Sequence, residues 1–183
     1  MIINNNLVEN KDLGIRERAV LFYLMTLGAS KESILITYEE LSDYLGYKNT
    51  NFRSTRKALK DVLKSLEDKM YLEAHEDLLK GNIDVILSNT SKVTKDDFSF
   101  QSQYVKLPLK VIQDKSIKGK YIPILVGIDY HNKFIGGKPK VKDLSVFSGC
   151  SNNTLKKYLN ELLEEEVISL EADGSYELNK LYF

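Results

Sequence analysis

Five basic side chains lie between residues 53 and 64 at intervals of one to four residues, and a helical wheel collects them on one face of an α-helix. They are Arg53, Arg56, Lys57, Lys60 and Lys64. Asp61 is the one acidic residue in this segment, which therefore carries a local charge of +4. The opposite face is mostly apolar, with Thr55, Leu59, Val62, Leu63 and Leu66. Such a row attracts phosphate, and an arginine can also donate two hydrogen bonds to guanine.

Polar residues immediately precede this predicted helix and add to its capacity to recognise bases. They are Lys48, Asn49, Thr50 and Asn51. An asparagine amide can pair with adenine, whereas a lysine mainly contacts phosphate. We predict that Arg56 reads a base and that Lys60 contacts a phosphate. The alternative is an ordinary solvated helix face, which is what most runs of charge are.

The surrounding elements would present this face at the surface. Residues 15–27 predict a helix that carries Arg16, Glu17 and Arg18 in its first turns, and 34–36 predict a short strand. Thr37, with Glu40 three residues later, is a capping box for a helix that ends near Gly46. After a helix from about 52 to 68, strands at 71–76 and 83–87 predict a hairpin with Lys80 near its tip.

A degenerate copy of residues 37–72 recurs at 140–170, which predicts two similar units. The first helices and their glycines, Gly46 and Gly149, align at an offset of 103 residues. Leucines of the second helices align at an offset of 100, so the first copy carries about three extra residues in its turn. The corresponding candidate contacts in the second copy are Ser151, Asn152, Asn153, Thr154, Lys156 and Lys157.

The second copy is the weaker candidate, because residues 153–166 contain two lysines and four glutamates, a local charge of −2. It can equally be interpreted as a packing or dimerisation element, and Lys157 should contribute less than Arg56. The second hairpin, predicted at 167–171 and 176–181, carries Asp173 near its tip.

The rest of the second half completes an α+β prediction. We expect a linker at 88–97, a strand before Pro108, and a short helix from Pro108 to about Asp114. Residues 121–130 should form a helix with Pro123 in its first turn, followed by a glycine-rich loop at 132–140. The predicted domains are therefore 1–90 and 98–183, each with a helix-turn-helix and a hairpin.

This pattern resembles the winged-helix superfamily, and the second half is similar to the replication-initiator and replisome-organiser modules of bacterial plasmids and phages. The resemblance rests on the segments YVKLP at 104–108, VKDLS at 141–145 and NTLKKYL at 153–159. It implies two winged helix-turn-helix modules in tandem, in which residues 151–157 face DNA. It also implies a role in DNA replication or transcription regulation.

Composition bounds the function further. The net charge is zero, and each half is balanced, which counts against DNA binding unless the charges are segregated on the surface. The single cysteine, Cys150, fits a reducing compartment, and we find no signal peptide or apolar run long enough for a membrane span. We therefore expect a cytoplasmic protein. Because His75, His131 and Cys150 match no metal or nucleophile motif, we also expect that it is not an enzyme and uses no metal or cofactor.

These observations predict a sequence-specific binder of double-stranded DNA, a replication initiator or regulator of a mobile element. One alternative is a transcriptional repressor with the same contacts. The other is a protein–protein interaction module that uses winged helices as docking surfaces. A homodimer, and replication or transcription proteins as partners, are compatible with these interpretations.

Overall fold

The computed structural model describes residues 2–28, 32–47, 52–77, 81–88, 104–108, 111, 114 and 116–180. The protein has a mixed α+β fold with small antiparallel sheets. Within the described residues, no helix has both the length and the apolar character needed to cross a membrane. The predicted linker at 88–97 lies, apart from Ser88, outside them, as does most of the helix predicted after Pro108.

The described residues of the first half form four helices and four strands. In chain order they are β1 (Ile2–Asn4), α1 (Asn5–Glu9), α2 (Ile15–Gly28), β2 (Ile34–Thr37), α3 (Tyr38–Leu45), α4 (Phe52–Asp68), β3 (Leu72–Asp77) and β4 (Asn82–Leu87). The capping box predicted for α3 is confirmed, with the Thr37 hydroxyl accepting from the Glu40 amide at 3.1 Å and the Glu40 carboxylate accepting from the Thr37 amide at 2.7 Å. The predicted helices and hairpin of this half are therefore present.

The second half repeats the order of two helices followed by a hairpin, but among the described residues it has no counterpart of β2. It contains β5 (Tyr104–Lys106), a 3₁₀ turn (Gly119–Tyr121), α5 (Ile122–Tyr130), a π-helical turn (His131–Ile135), α6 (Val141–Ser148), α7 (Asn152–Glu164), β6 (Ile168–Leu170) and β7 (Tyr176–Leu178). Helix α5 is buried on all sides and has Pro123 in its first turn, as predicted. The predicted loop at 132–140 is wrong in its first part, because the π-helical turn continues from α5 as far as Ile135.

Three sheets organise the strands. Strands β2, β4 and β3 form one antiparallel sheet in that order, and β6 pairs with β7 as the second hairpin. Strand β1 pairs with β5, with Ile3 opposite Val105, so the start of the chain is hydrogen-bonded to the beginning of the second half. The sequence analysis missed this pairing because three-residue strands carry almost no periodicity.

Residues 2–13 lie against the second half rather than beside α2 alone. Helix α1 packs on α5 and α6, and the Ile15 amide donates to the Gly149 carbonyl at 3.1 Å. Helix α2 contacts both α4 and α5, and the buried apolar side chains of the two halves form one hydrophobic core. The division into domains 1–90 and 98–183 remains a prediction, and the two halves share an extensive interface.

Tyrosines fill another part of this interface. The rings of Tyr23 and Tyr44 stack with centroids 3.9 Å apart, and Gly119 lies directly against Tyr44, where an added Cβ would come within 2.0 Å of the ring. The ring of Tyr121 meets that of Tyr158 edge-on at 5.5 Å. Burial raises the pKa of the Tyr44 hydroxyl, with a smaller contribution from Tyr23. The contact between Tyr44 and Gly119 thus joins the two halves.

The helix-turn-helix and hairpin segments correspond closely, but not at the predicted offset. Gly46 and Gly149 both have left-handed backbones, with φ of 73° and 67°, as the offset of 103 implies. Met70 and Glu166, the two non-glycine residues with positive φ in the described chain, follow α4 and α7 at an offset of 96. The buried leucines agree with this second value, since Leu59, Leu63 and Leu66 match Leu155, Leu159 and Leu162.

The predicted offset of 100 between α4 and α7 is therefore wrong, because their buried leucines align at an offset of 96. A shift by four residues keeps leucines on nearly the same face of a helix, so the sequence could not distinguish 96 from 100. The turn before α4 is three residues longer than the turn before α7, as expected, and α4 is also four residues longer than α7. The helical turn that carries Arg53 has no counterpart in the second half.

Candidate nucleic-acid interface

Helix α4 presents its basic residues outward because its leucines are buried against α2 and α3. Leu59, Leu63 and Leu66 belong to the core, while Arg53 and Lys57 are exposed on the other side. Lys64 is also exposed. Among the described residues, none forms an ion pair with Arg53, Lys57 or Lys64, so these three cations are free to meet an anion in solution.

Arg56 and Lys60 are held by a carboxylate from the neighbouring hairpin. Glu76 on β3 accepts a hydrogen bond from the Arg56 guanidinium, and its other oxygen lies 2.6 Å from the Lys60 ammonium. Both cations also lie over the ring of Tyr38, the guanidinium carbon at 4.9 Å and the Lys60 Nζ at 5.7 Å from its centroid. The cluster therefore ties α4 to β3 and to the start of α3.

The protonation states of Glu76 and Tyr38 favour the ion pairs of Glu76 with Arg56 and Lys60. Hydrogen bonding from Lys60, aided by Arg56 and opposed by partial burial, keeps the pKa of Glu76 below its ordinary value. Burial, together with the charge of Glu76, raises the pKa of Tyr38 to about 12. Glu76 is thus ionised and Tyr38 neutral at neutral pH. The ion pairs with Arg56 and Lys60 persist across the physiological range.

The five basic residues predicted as one surface consequently divide into two groups. Arg53, Lys57 and Lys64 form a free row, whereas Arg56 and Lys60 are bound to Glu76. The sequence analysis missed Glu76 because its contact crosses from a strand to a helix 20 residues earlier in the chain. The sequence did contain a signal for this contact. In the predicted hairpin, Glu76 alternates with exposed residues and so lies on the face that packs toward the basic helix.

The second half places its candidate residues at the start of α7. The Ser151 hydroxyl caps this helix by accepting from the Thr154 amide at 3.3 Å, and the two hydroxyl oxygens lie 3.0 Å apart. Asn152, Asn153, Lys156 and Lys157 are exposed beyond the cap. The two lysines extend into solvent without an ion pair to another described residue.

The acidic residues of α7 are not equivalent to one another. Glu161 turns toward the interface between the halves, where it accepts from the Tyr121 hydroxyl and lies 3.4 Å from the Lys120 ammonium. Although burial opposes it, the hydrogen bond from Tyr121 and the charge of Lys120 lower the pKa of Glu161. Glu164 and the two residues after it remain exposed at the end of the helix, away from Ser151.

Several predicted positions lie outside the described residues. These are Lys48, Asn49, Thr50 and Asn51 before α4, and Lys80 near the tip of the first hairpin. The remaining predicted positions fall on two separate surfaces, the outer face of α4 and the beginning of α7.

The groups considered for metal binding or catalysis are not assembled together. In the described part of the chain, no three histidine, cysteine or acidic side chains are close enough to hold a metal ion. His131 is buried with Nδ1 2.9 Å from the Gly137 carbonyl oxygen. Burial raises the pKa of the Cys150 thiol, although its hydrogen bond with Ser148 acts in the opposite direction. The reactive thiolate form is therefore less populated at neutral pH.

Comparisons with known proteins do not identify a family for this chain. No family model matches the sequence, and no curated protein matches it. Among solved structures, a crystal structure of the DIP2311 protein from Corynebacterium diphtheriae aligns with 90% of this chain at 18% identity and a TM-score of 0.26. The alignment covers 26% of that protein, so this chain spans about a quarter of its length.

Proposed function

We propose that this protein binds double-stranded DNA through two winged-helix modules and is not an enzyme. The free cationic row of Arg53, Lys57 and Lys64 on the outer face of α4 is the observation that carries this proposal. These cations are segregated on one surface, so the zero net charge of the chain does not oppose contact with a polyanion there.

The arrangement of elements supports the winged-helix interpretation. In each half, a short helix ends at a left-handed glycine, a longer amphipathic helix follows, and an antiparallel hairpin comes next. In a helix-turn-helix, the second helix is the one that enters the major groove. Helix α4, with its free cations, is therefore the proposed primary contact, and the residues from Ser151 to Lys157 are the secondary one.

The biological role follows from the sequence resemblance to plasmid and phage modules. We propose a cytoplasmic replication initiator or regulator of a mobile element that recognises a specific site. A transcriptional repressor would use the same contacts. Selection of bound sequences from a random duplex library would test specificity, since an enriched motif is required of either role. Recovery of the library without enrichment would contradict it.

Removing the free row should weaken DNA binding more than removing the same charge elsewhere. The variant with Arg53→Ala, Lys57→Ala and Lys64→Ala should lose at least about tenfold in affinity and lower the salt slope by up to about three units, one for each lost phosphate contact. Fluorescence anisotropy with a labelled random-sequence duplex, titrated over a range of salt, measures both quantities.

The matched control for that variant neutralises three cations outside both proposed surfaces, through Lys106→Ala, Lys142→Ala and Lys180→Ala, and none of these lysines is ion-paired with another described residue. All three lysines are exposed. An equal loss of affinity in this control would mean that α4 has no special role. Undiminished binding by the α4 variant would exclude α4 as the contact.

Glu76→Gln should increase affinity for the same duplex. The substitution removes the negative charge that neutralises Arg56 and Lys60, so both cations become available to phosphate, and we expect a gain of about threefold to tenfold with a steeper salt dependence. Glu164→Gln, at the exposed end of α7, is the charge-matched control. A loss of affinity in Glu76→Gln with unchanged stability would instead mean that Glu76 positions Arg56 for binding.

A further inference from the structure

The outer face of the sheet formed by β2, β4 and β3 is a second surface with a distinct composition. The strand register places Leu35, Asp84 and His75 side by side across the three strands, with Ile86 and Glu73 adjacent in the next row on this face. Residues that alternate with these, such as Ile36 and Val85, are buried on the inner face. The outer face is therefore defined by the pleat of the sheet.

Two carboxylates give this face a negative charge. Glu73 is exposed on β3, and Asp84 lies at the centre on β4. Among the described residues of the three strands, no lysine or arginine lies on this face. A surface of this sign repels DNA and attracts cationic groups.

Apolar side chains are exposed among these carboxylates. Leu35 is 68% exposed and Ile86 is 36% exposed, and they occupy adjacent strands. The Oδ1 atom of Asp84, between Leu35 and His75, is shielded from water and has no hydrogen-bond partner among the residues that the structure describes. A shielded carboxylate oxygen without a donor is costly, and a cationic donor arriving from outside would satisfy it.

The inner face of the same sheet is already occupied. Glu76 points inward from β3 and contacts α4 through Arg56 and Lys60, while the flanking residues His75 and Asp77 point to the opposite side. A ligand on the outer face would therefore not compete with one bound to the outer face of α4.

We infer that the outer face of this sheet is a docking site for a cationic, amphipathic segment of another protein. Lysine or arginine side chains of the segment pair with Asp84 and Glu73, and its apolar side chains cover Leu35 and Ile86. The inference rests on charge complementarity and exposed apolar area, and it does not depend on DNA binding.

A labelled amphipathic peptide made of leucine and lysine in a helical pattern is a suitable probe, added to the full chain without DNA. Asp84→Asn and Leu35→Thr should each weaken its binding at least about fivefold. Asp61→Asn on α4 and Leu170→Thr on β6 are the controls, because Asp61 is an exposed carboxylate and Leu170 is 53% exposed on the other hairpin. Neither control should change the affinity.

Three outcomes would overturn the inference. Equal losses in the test and control variants would mean generic attraction between charges, and an absence of measurable binding would mean that the face is not a docking site. Self-association of the unliganded chain that Leu35→Thr abolishes, seen by sedimentation, would assign the face to a second copy of the chain. Thermal unfolding of each variant verifies its fold, and the substitutions at the exposed positions 35, 61 and 170 should change stability by about 0.5 kcal/mol or less.

Discussion

Arg18→Met is expected to destabilise the protein by about 3–5 kcal/mol, enough to unfold a large fraction of a marginally stable chain. The Arg18 side chain is 1% exposed, and its guanidinium donates to backbone carbonyls of residues 7, 8, 10 and 13. Those carbonyls belong to the end of α1 and the loop after it. Methionine fills a similar volume but donates nothing, so the carbonyl groups would remain buried without partners.

The charge of Arg18 is maintained in spite of its burial. Burial lowers the pKa of the guanidinium to about 10, against smaller opposing contributions from Tyr71 and Glu17, so Arg18 stays protonated at neutral pH. Arg18→Lys should restore only part of the lost stability, because one ammonium group cannot reproduce the fork of donors that a guanidinium provides.

Urea unfolding followed by far-UV circular dichroism measures the free energy of unfolding of these variants. Arg16→Met is the control on the same helix, since Arg16 is exposed and its guanidinium carbon lies 5.8 Å from the centre of the Tyr47 ring. It should cost no more than about 1 kcal/mol. Similar losses at positions 16 and 18 would show that the buried hydrogen bonds of Arg18 add little.

Arg18 also illustrates what the sequence could not predict. Its neighbours in the chain place it in the first turns of α2, where an arginine is ordinarily solvated. Its partners lie in a short helix without a clear sequence pattern and in the loop that follows that helix. By contrast, the cap at Thr37 and the glycines at 46 and 149 depend on residues within a few positions, so local rules were sufficient.

The candidate site shows the same limit. Periodicity correctly placed Arg53, Lys57 and Lys64 on an exposed face, because the leucines of α4 fix which side is buried. It could not separate them from Arg56 and Lys60, since that difference comes from Glu76 and Tyr38 on other elements. That Arg56 reads a base stays a prediction, and the structure adds that its guanidinium is paired with Glu76 when no DNA is present.

Gly149→Ala is the second substitution with a large expected effect, a loss of about 3 kcal/mol or more. Gly149 has φ of +67°, a left-handed conformation that alone costs an alanine about 1 kcal/mol. An added Cβ would also lie 2.3 Å from the carbonyl oxygen of Leu13. That atom cannot retreat freely, because it accepts a hydrogen bond from Arg18 Nε at 3.0 Å.

Gly174→Ala is the matched control, because Gly174 has φ of +80° and open space where the Cβ would be added. Gly174→Ala should lose only the free energy that alanine loses in a left-handed backbone conformation. The difference between the two variants in free energy of unfolding, measured in urea, therefore gives the cost of the clash with Leu13. Equal losses would mean that residues 13–15 yield easily to the new methyl group. Combining Gly149→Ala with Arg18→Met should cost less than the sum of the single losses, because removing Arg18 frees the carbonyl against which the methyl group collides.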